Sequence, residues 1–114
     1  MPHMNIAMPL LPGNEDGARA FAAEISGPRR DQFAAFQAQS KTRRETWTIQ
    51  ETPAGTFLLV WFDSADLEKG FADLATGQDE FTVWFRGEIK RLSGVDLGVP
   101  DDSPLPEPIL DWSA

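Results

Sequence analysis

General acid or base chemistry in this chain would fall to Glu45, Glu51, Asp63 or Glu88, because the sequence has no tyrosine, no cysteine and a single histidine, His3. Each carboxyl would need a strongly shifted pKa to serve near neutral pH. Ser/His/Asp and Cys/His arrangements lack their base. Zero cysteine also removes disulfides, thiolate nucleophiles and thiolate metal sites. A zinc site made from carboxylates alone would be unusual, and no two acids have a spacing that indicates one. Gly94-Val95-Asp96-Leu97-Gly98 has neither the spacing nor the strand-to-helix setting of a phosphate loop. The residues therefore call for no cofactor and no metal.

Binding chemistry has better candidates. Arg44 and Glu45 open a segment in which Thr46, Thr48 and Gln50 alternate with Trp47 and Ile49. If the apolar parity packs under helices, Arg44, Thr46, Thr48 and Gln50 line the other face, as hydrogen-bonding groups beside apolar neighbours. Trp61 and Trp84 offer flat surfaces on which a ring could stack, although aromatics in a strand or helical stripe usually serve the core. Thr46 and Thr48 also read simply as good strand formers, and an Arg44/Glu45 pair in solvent contributes under ~1 kcal/mol. Arg29 and Arg30 follow a helix break, where they meet either solvent or an acid. Glu88 interrupts an apolar helical stripe, with Arg86 and Arg91 as its nearest partners. Asp111 beside Trp112 could pin the chain's last segment.

Elements must hold these groups in place. Residues 5–11 alternate imperfectly and stop at Pro12-Gly13, so a first strand is expected, with Pro9 suited to an edge or a strand end. Asn14 can cap a helix opened by Glu15 and Asp16, in which Ala18, Phe21, Ala22 and Ile25 recur at helical spacing. Gly27-Pro28 interrupts it, and Gln32, Phe33 and Phe36 resume the rhythm, giving a kink or two segments. Strands at 44–52 and 56–63 flank Pro53-Ala54-Gly55 as a hairpin. Asp63 or Ser64 caps the next helix, with Leu67, Phe71 and Leu74 on one side until Gly77. Phe81, Trp84, Phe85, Glu88, Ile89 and Leu92 form a second stripe, with Gly94 placed for a left-handed exit. Residues 99–114 hold Pro100, Pro104, Pro106 and Pro108 and read as an extended segment. Its Ile109, Leu110 and Trp112 are too apolar to stay free, so docking as an edge strand or across a partner is expected.

Composition bounds the partners. The 114 residues, 41% hydrophobic and 25% charged, suit one domain over 4–114, with 1–3 read as an added leader before a start at Met4. A formal charge of -8 gives no basic stripe for nucleic acid or anionic membranes. No apolar run reaches the ~18 residues that span a bilayer, and a secretory leader is not visible, so a cytoplasmic location is expected.

The stretch TFLLVWFD (56–63) places Phe57, Leu59 and Trp61 on one face and Leu58, Val60 and Phe62 on the other. Helices cover one face only. Leaving three such side chains in water forfeits about 5–9 kcal/mol, comparable with the whole stability of a small domain. The element order predicts an α+β fold, a ferredoxin-like βαββαβ sandwich with an antiparallel sheet. Its second face would be covered by a second copy of the chain, giving a homodimer, in preference to the C-terminal tail folding back over it.

The segments LLPG (10–13), GPRR (27–30), ETPAG (51–55), FTVWFRGEI (81–89), SGVDL (93–97) and LDW (110–112) resemble an uncharacterised bacterial family, a domain of unknown function, over about 4–112. That family is similar to the dimeric α/β-barrel superfamily. The resemblance implies two protomers with sheets facing each other around a central cavity. The wider superfamily includes cofactor-free monooxygenases acting on aromatic substrates, haem-dependent enzymes, isomerases and proteins with no assigned reaction. The haem class needs an axial ligand, and His3 alone is a poor one. The expectation is a homodimer that binds a small apolar or aromatic molecule in an inter-sheet cavity, through Arg44, Thr46, Thr48, Gln50 and Trp61. Its activity would be that of a cofactor-independent oxygenase or isomerase. The alternative is a non-catalytic structural or interaction dimer with a packed seam.

Overall fold

A computed structural model describes residues 3–99, 101 and 103–114. Expectations made for Met1, Pro2, Pro100 and Asp102 lie outside the described residues. The elements run β1 (His3–Pro9), α1 (Glu15–Ser26), α2 (Arg30–Gln39), β2 (Thr42–Thr52), β3 (Gly55–Ser64), α3 (Leu67–Thr76) and α4 (Glu80–Ser93). The three strands form one antiparallel sheet in the order β1-β3-β2. No helix among the described residues is long and apolar enough to cross a membrane.

The hairpin forms where turn chemistry allows it. Pro53 and Ala54 separate β2 from β3, Gly55 takes φ 126°, and Thr52 Oγ1 both accepts from Ala54 N at 3.1 Å and donates to Gly55 O at 2.7 Å. β3 is central because both of its faces are apolar: Leu58, Val60 and Phe62 point to the helices, and Phe57, Leu59 and Trp61 point away. Pro9 ends an edge strand, where its missing amide leaves no ladder bond unmade.

Gly27-Pro28 divides the first helical region into α1 and α2, and Gly77 caps α3 before α4 begins. Gly94 closes α4 in the left-handed conformation, φ 79°, donating from its amide to Lys90 O. Two caps differ from expectation. Asn14 makes no side-chain cap bond; its Nδ2 instead donates to Leu92 O at 3.1 Å and ties the start of α1 to the end of α4. Asp66, not Asp63 or Ser64, caps α3 by accepting from Lys69 N, since β3 continues through Ser64.

The core is packed between α1, α4 and the sheet. Ala18, Phe21 and Ile25 of α1 meet Phe81, Phe85, Ile89 and Leu92 of α4 over Leu10 and Leu58. Phe21 is the hub of an aromatic cluster, with ring centroids 5.3 Å from each of Trp47, Trp84 and Phe85. α2 and α3, in contrast, contain no fully buried residue.

The predicted barrel is not formed. The sheet has three strands and stays open, so the ferredoxin-like βαββαβ order lacks its last strand, and the dimeric α/β-barrel expectation is overturned. The segment expected to supply that strand carries Pro104, Pro106 and Pro108, each without an amide for a ladder, and its described residues form neither helix nor strand.

Candidate functional site

The looseness of α2 and α3 has a cause. A cavity of about 110 Å³ lies between them and the sheet, walled by Phe33 and Phe36 of α2, Leu67, Phe71 and Leu74 of α3, and Ile6, Met8, Val60 and Phe62 of the strands. Ile89 and Phe85 close it on the α4 side. The helix faces that border it touch empty space, so their residues remain half-buried.

β2 delivers the polar groups. Its pairing with β3 slips between Thr42 and Arg44, a bulge at Arg43 that breaks strict alternation. Thr42 and Glu45 consequently both face the cavity, while Arg44 faces away beside Asp63. At one end Ser40 Oγ and Thr42 Oγ1 lie 2.7 Å apart, and Ser64 Oγ donates to Ser40 O at 2.7 Å, so these hydroxyls are satisfied among themselves. Gly70 brings α3 against this corner: a Cβ there would stand 2.9 Å from Ser40 Cβ.

Glu45 is the one ionisable side chain in the wall among the described residues. Gln37 Nε2 donates to its Oε1 at 2.9 Å, and Trp47 Nε1 donates to its Oε2 at 2.6 Å. No described cation pairs with it. Burial pushes the Glu45 carboxyl above its ordinary value, and the bonds from Gln37 and Trp47 oppose that shift without cancelling it. Magnitudes explain the order. Desolvating a carboxylate costs several kcal/mol, whereas a hydrogen bond to a charged group returns about 1.5–3 kcal/mol.

The donors also bear on where the proton sits. An indole N–H can only donate, so Glu45 Oε2 must accept in both protonation states. A proton on Oε1 leaves the Trp47 bond intact, and the Gln37 amide can turn to accept it. The result is a buried carboxyl held through both oxygens at the wall of a largely apolar space.

The ligand-binding residues picked out from the sequence lie elsewhere. Arg44, Thr46, Thr48 and Gln50 share the outer face of the sheet, opposite Asp63, Trp61, Leu59 and Phe57 of β3. The structure brings these candidates together with Trp61, but on the side away from the cavity. His3 stacks on Trp61, with centroids 6.2 Å apart. Trp84 is engaged by Arg29, whose guanidinium carbon lies 4.0 Å over the indole while its Nη1 donates to both Glu80 oxygens. Glu88 pairs with Arg91. Of the candidate bases, only Glu45 faces the cavity; Asp63 pairs with Arg43 at 2.8 Å. No group of three or more potential metal-ligating His, Cys, Asp or Glu side chains comes together among the described residues.

Comparison with protein-family models, with curated proteins and with solved structures returned no match.

Proposed function

We propose that the protein binds a small apolar or aromatic molecule bearing one hydrogen-bonding group in the cavity between the sheet and α2/α3, and that Glu45 exchanges a proton with it. The observation that carries this reading is Glu45 itself, a buried carboxyl with two neutral donors and no cation among the described residues, facing a largely apolar space. A carboxyl needed only for stability would be expected to have an ionic partner or a place in solvent.

The size of the space bounds the ligand. About 110 Å³ is well below the range for drug-sized ligands and close to what a benzene-sized guest needs. A phenol or a small cyclic enone fits this description. With its raised pKa, Glu45 can take a proton from a carbon beside a carbonyl and return it to another carbon, the step of an isomerase. It can equally deprotonate a phenol, the first step by which a cofactor-independent oxygenase prepares its substrate for dioxygen. Homodimerisation belongs to the same reading, supported by the outer sheet face that the helices leave uncovered.

Calorimetric titration with phenol, benzene and cyclohexanol tests this. Phenol is expected to bind more tightly than benzene, and Val60→Phe, which fills the cavity from β3, is expected to abolish binding of both. Equal, weak heats for all three, unaffected by the Val60 change, would remove the cavity from consideration.

A further inference from the structure

Resting on the homodimer part of the reading above, we infer that two copies of this chain exchange their 104–112 segments, each segment lying across the outer sheet face of the other copy. Two apolar surfaces carry the inference. One is the row Phe57, Leu59 and Trp61 of β3, part-exposed on the sheet face away from the helices. The other is the segment itself, in which Ile109, Leu110 and Trp112 are 92%, 84% and 77% exposed.

Each surface has the form the other needs. Pro104, Pro106 and Pro108 hold the segment extended and remove the amides that would let it fold back as a strand on its own sheet. Nine residues in that form span about 28 Å, enough to run the length of a row that covers roughly 13 Å along β3. The segment already reaches the rim of the face, where Asp111 Oδ2 lies 3.9 Å from His3 Nε2. On either side of that contact Ile109, Leu110 and Trp112 stay exposed, open to a neighbour.

Charge agrees with this occupant. Arg44 sits exposed on the outer face at the same end as His3, with no ion-pair partner among the described residues. The segment brings Glu107 and Asp111. Since every copy carries one face and one segment, a two-fold exchange satisfies both and closes the assembly. Covering the exposed Ile109, Leu110 and Trp112 of both segments, with the part-exposed rows beneath them, would bury on the order of 1,000 Å² in all, at the lower edge of a specific interface.

Light scattering and sedimentation of the full chain at micromolar concentration test the exchange, beside the double variant Leu110→Asp/Trp112→Asp and the face variant Leu59→Asp, with circular dichroism to monitor the fold. The exchange predicts twice the chain mass for the parent, and a dissociation constant raised by roughly a hundredfold or more in the double variant with its fold intact. Because those two positions are solvent-exposed in the single chain, the double variant reports even if Leu59→Asp does not fold. A monomeric parent overturns both the exchange and homodimerisation. A parent dimer that the double variant leaves intact overturns the exchange alone. Neither result bears on Glu45, whose cavity lies on the other side of the sheet.

Discussion

Trp47 donates its indole N–H to Glu45 two residues earlier on β2, at 2.6 Å, on the face that the helices cover. The strand period of two makes this pair neighbours, and Gln37 of α2 completes the hold from the opposite oxygen. An aromatic that packs against Phe21 and Phe85 thus also aims an acid into the cavity.

Removing that charge should strengthen the fold at high pH. Burial raises the Glu45 pKa in the folded protein, so the native state holds this proton more tightly than the unfolded chain does. Stability therefore falls as pH rises from the ordinary glutamate range through the folded value, and the deficit is complete above it. Glu45→Gln should lack this fall and be more stable than the parent at pH 8 by on the order of 1 kcal/mol. Urea denaturation of both proteins from pH 4 to pH 8 is the check, and parallel profiles would count against the assignment.

Trp47→Phe keeps a ring in the core and removes the donor to Oε2. The loss should cost about 1–3 kcal/mol and move the Glu45 titration further upward, because one of the two bonds that favour the charged form is gone. A carboxyl-resolved nuclear magnetic resonance titration separates this from a packing effect, which would leave the midpoint unchanged.

Gly70 supports a prediction whose sign is contrary to helix propensity. In an exposed helix, glycine to alanine gains about 1 kcal/mol. Here the added Cβ would meet Ser40 Cβ at 2.9 Å, and overpacking of that kind costs about 1–3 kcal/mol. Gly70→Ala should therefore be neutral or destabilised in chemical denaturation, with α3 displaced from the hydroxyl corner. A gain of a full kcal/mol would show that α3 moves freely.

The two sides of the helical layer should respond differently to truncation. Leu92 is 1% exposed in the packed half, so Leu92→Ala should cost about 2–5 kcal/mol. Leu74 borders the cavity on a helix with no fully buried residue. Leu74→Ala should cost less, about 1–2 kcal/mol, and should admit a larger guest such as a methylated phenol. Thermal denaturation and ligand titration read the two effects.

The sequence showed much of this architecture and less of the site. Local patterns carried the hairpin, the break at Gly27-Pro28, the stop at Gly77 and the left-handed Gly94, because each depends on turn chemistry within a few residues. The two-faced character of β3 was also legible from its run of apolar residues. The barrel expectation was wrong, since closure needs a last strand and the alternating prolines remove its ladder donors. Glu45 shares the parity of Trp47 and Ile49, so its place under the helices followed from a pattern already used for its neighbours. Thr42 could not be placed that way. The bulge at Arg43 turns it inward, and bulges arise from the pairing of distant strands rather than from local sequence. Gln37 was equally hidden, because only the docking of α2 brings it to β2.

The central claim is a buried acid in a cavity that takes a small guest, and the most direct measurement is the Glu45 carboxyl carbon resonance followed through pH, without and with phenol. The account predicts a midpoint above those of the exposed glutamates and a displacement on adding phenol, with the methyl groups of Thr46 and Thr48 on the far face unmoved. A Glu45 that titrates with the exposed glutamates and ignores phenol would contradict it.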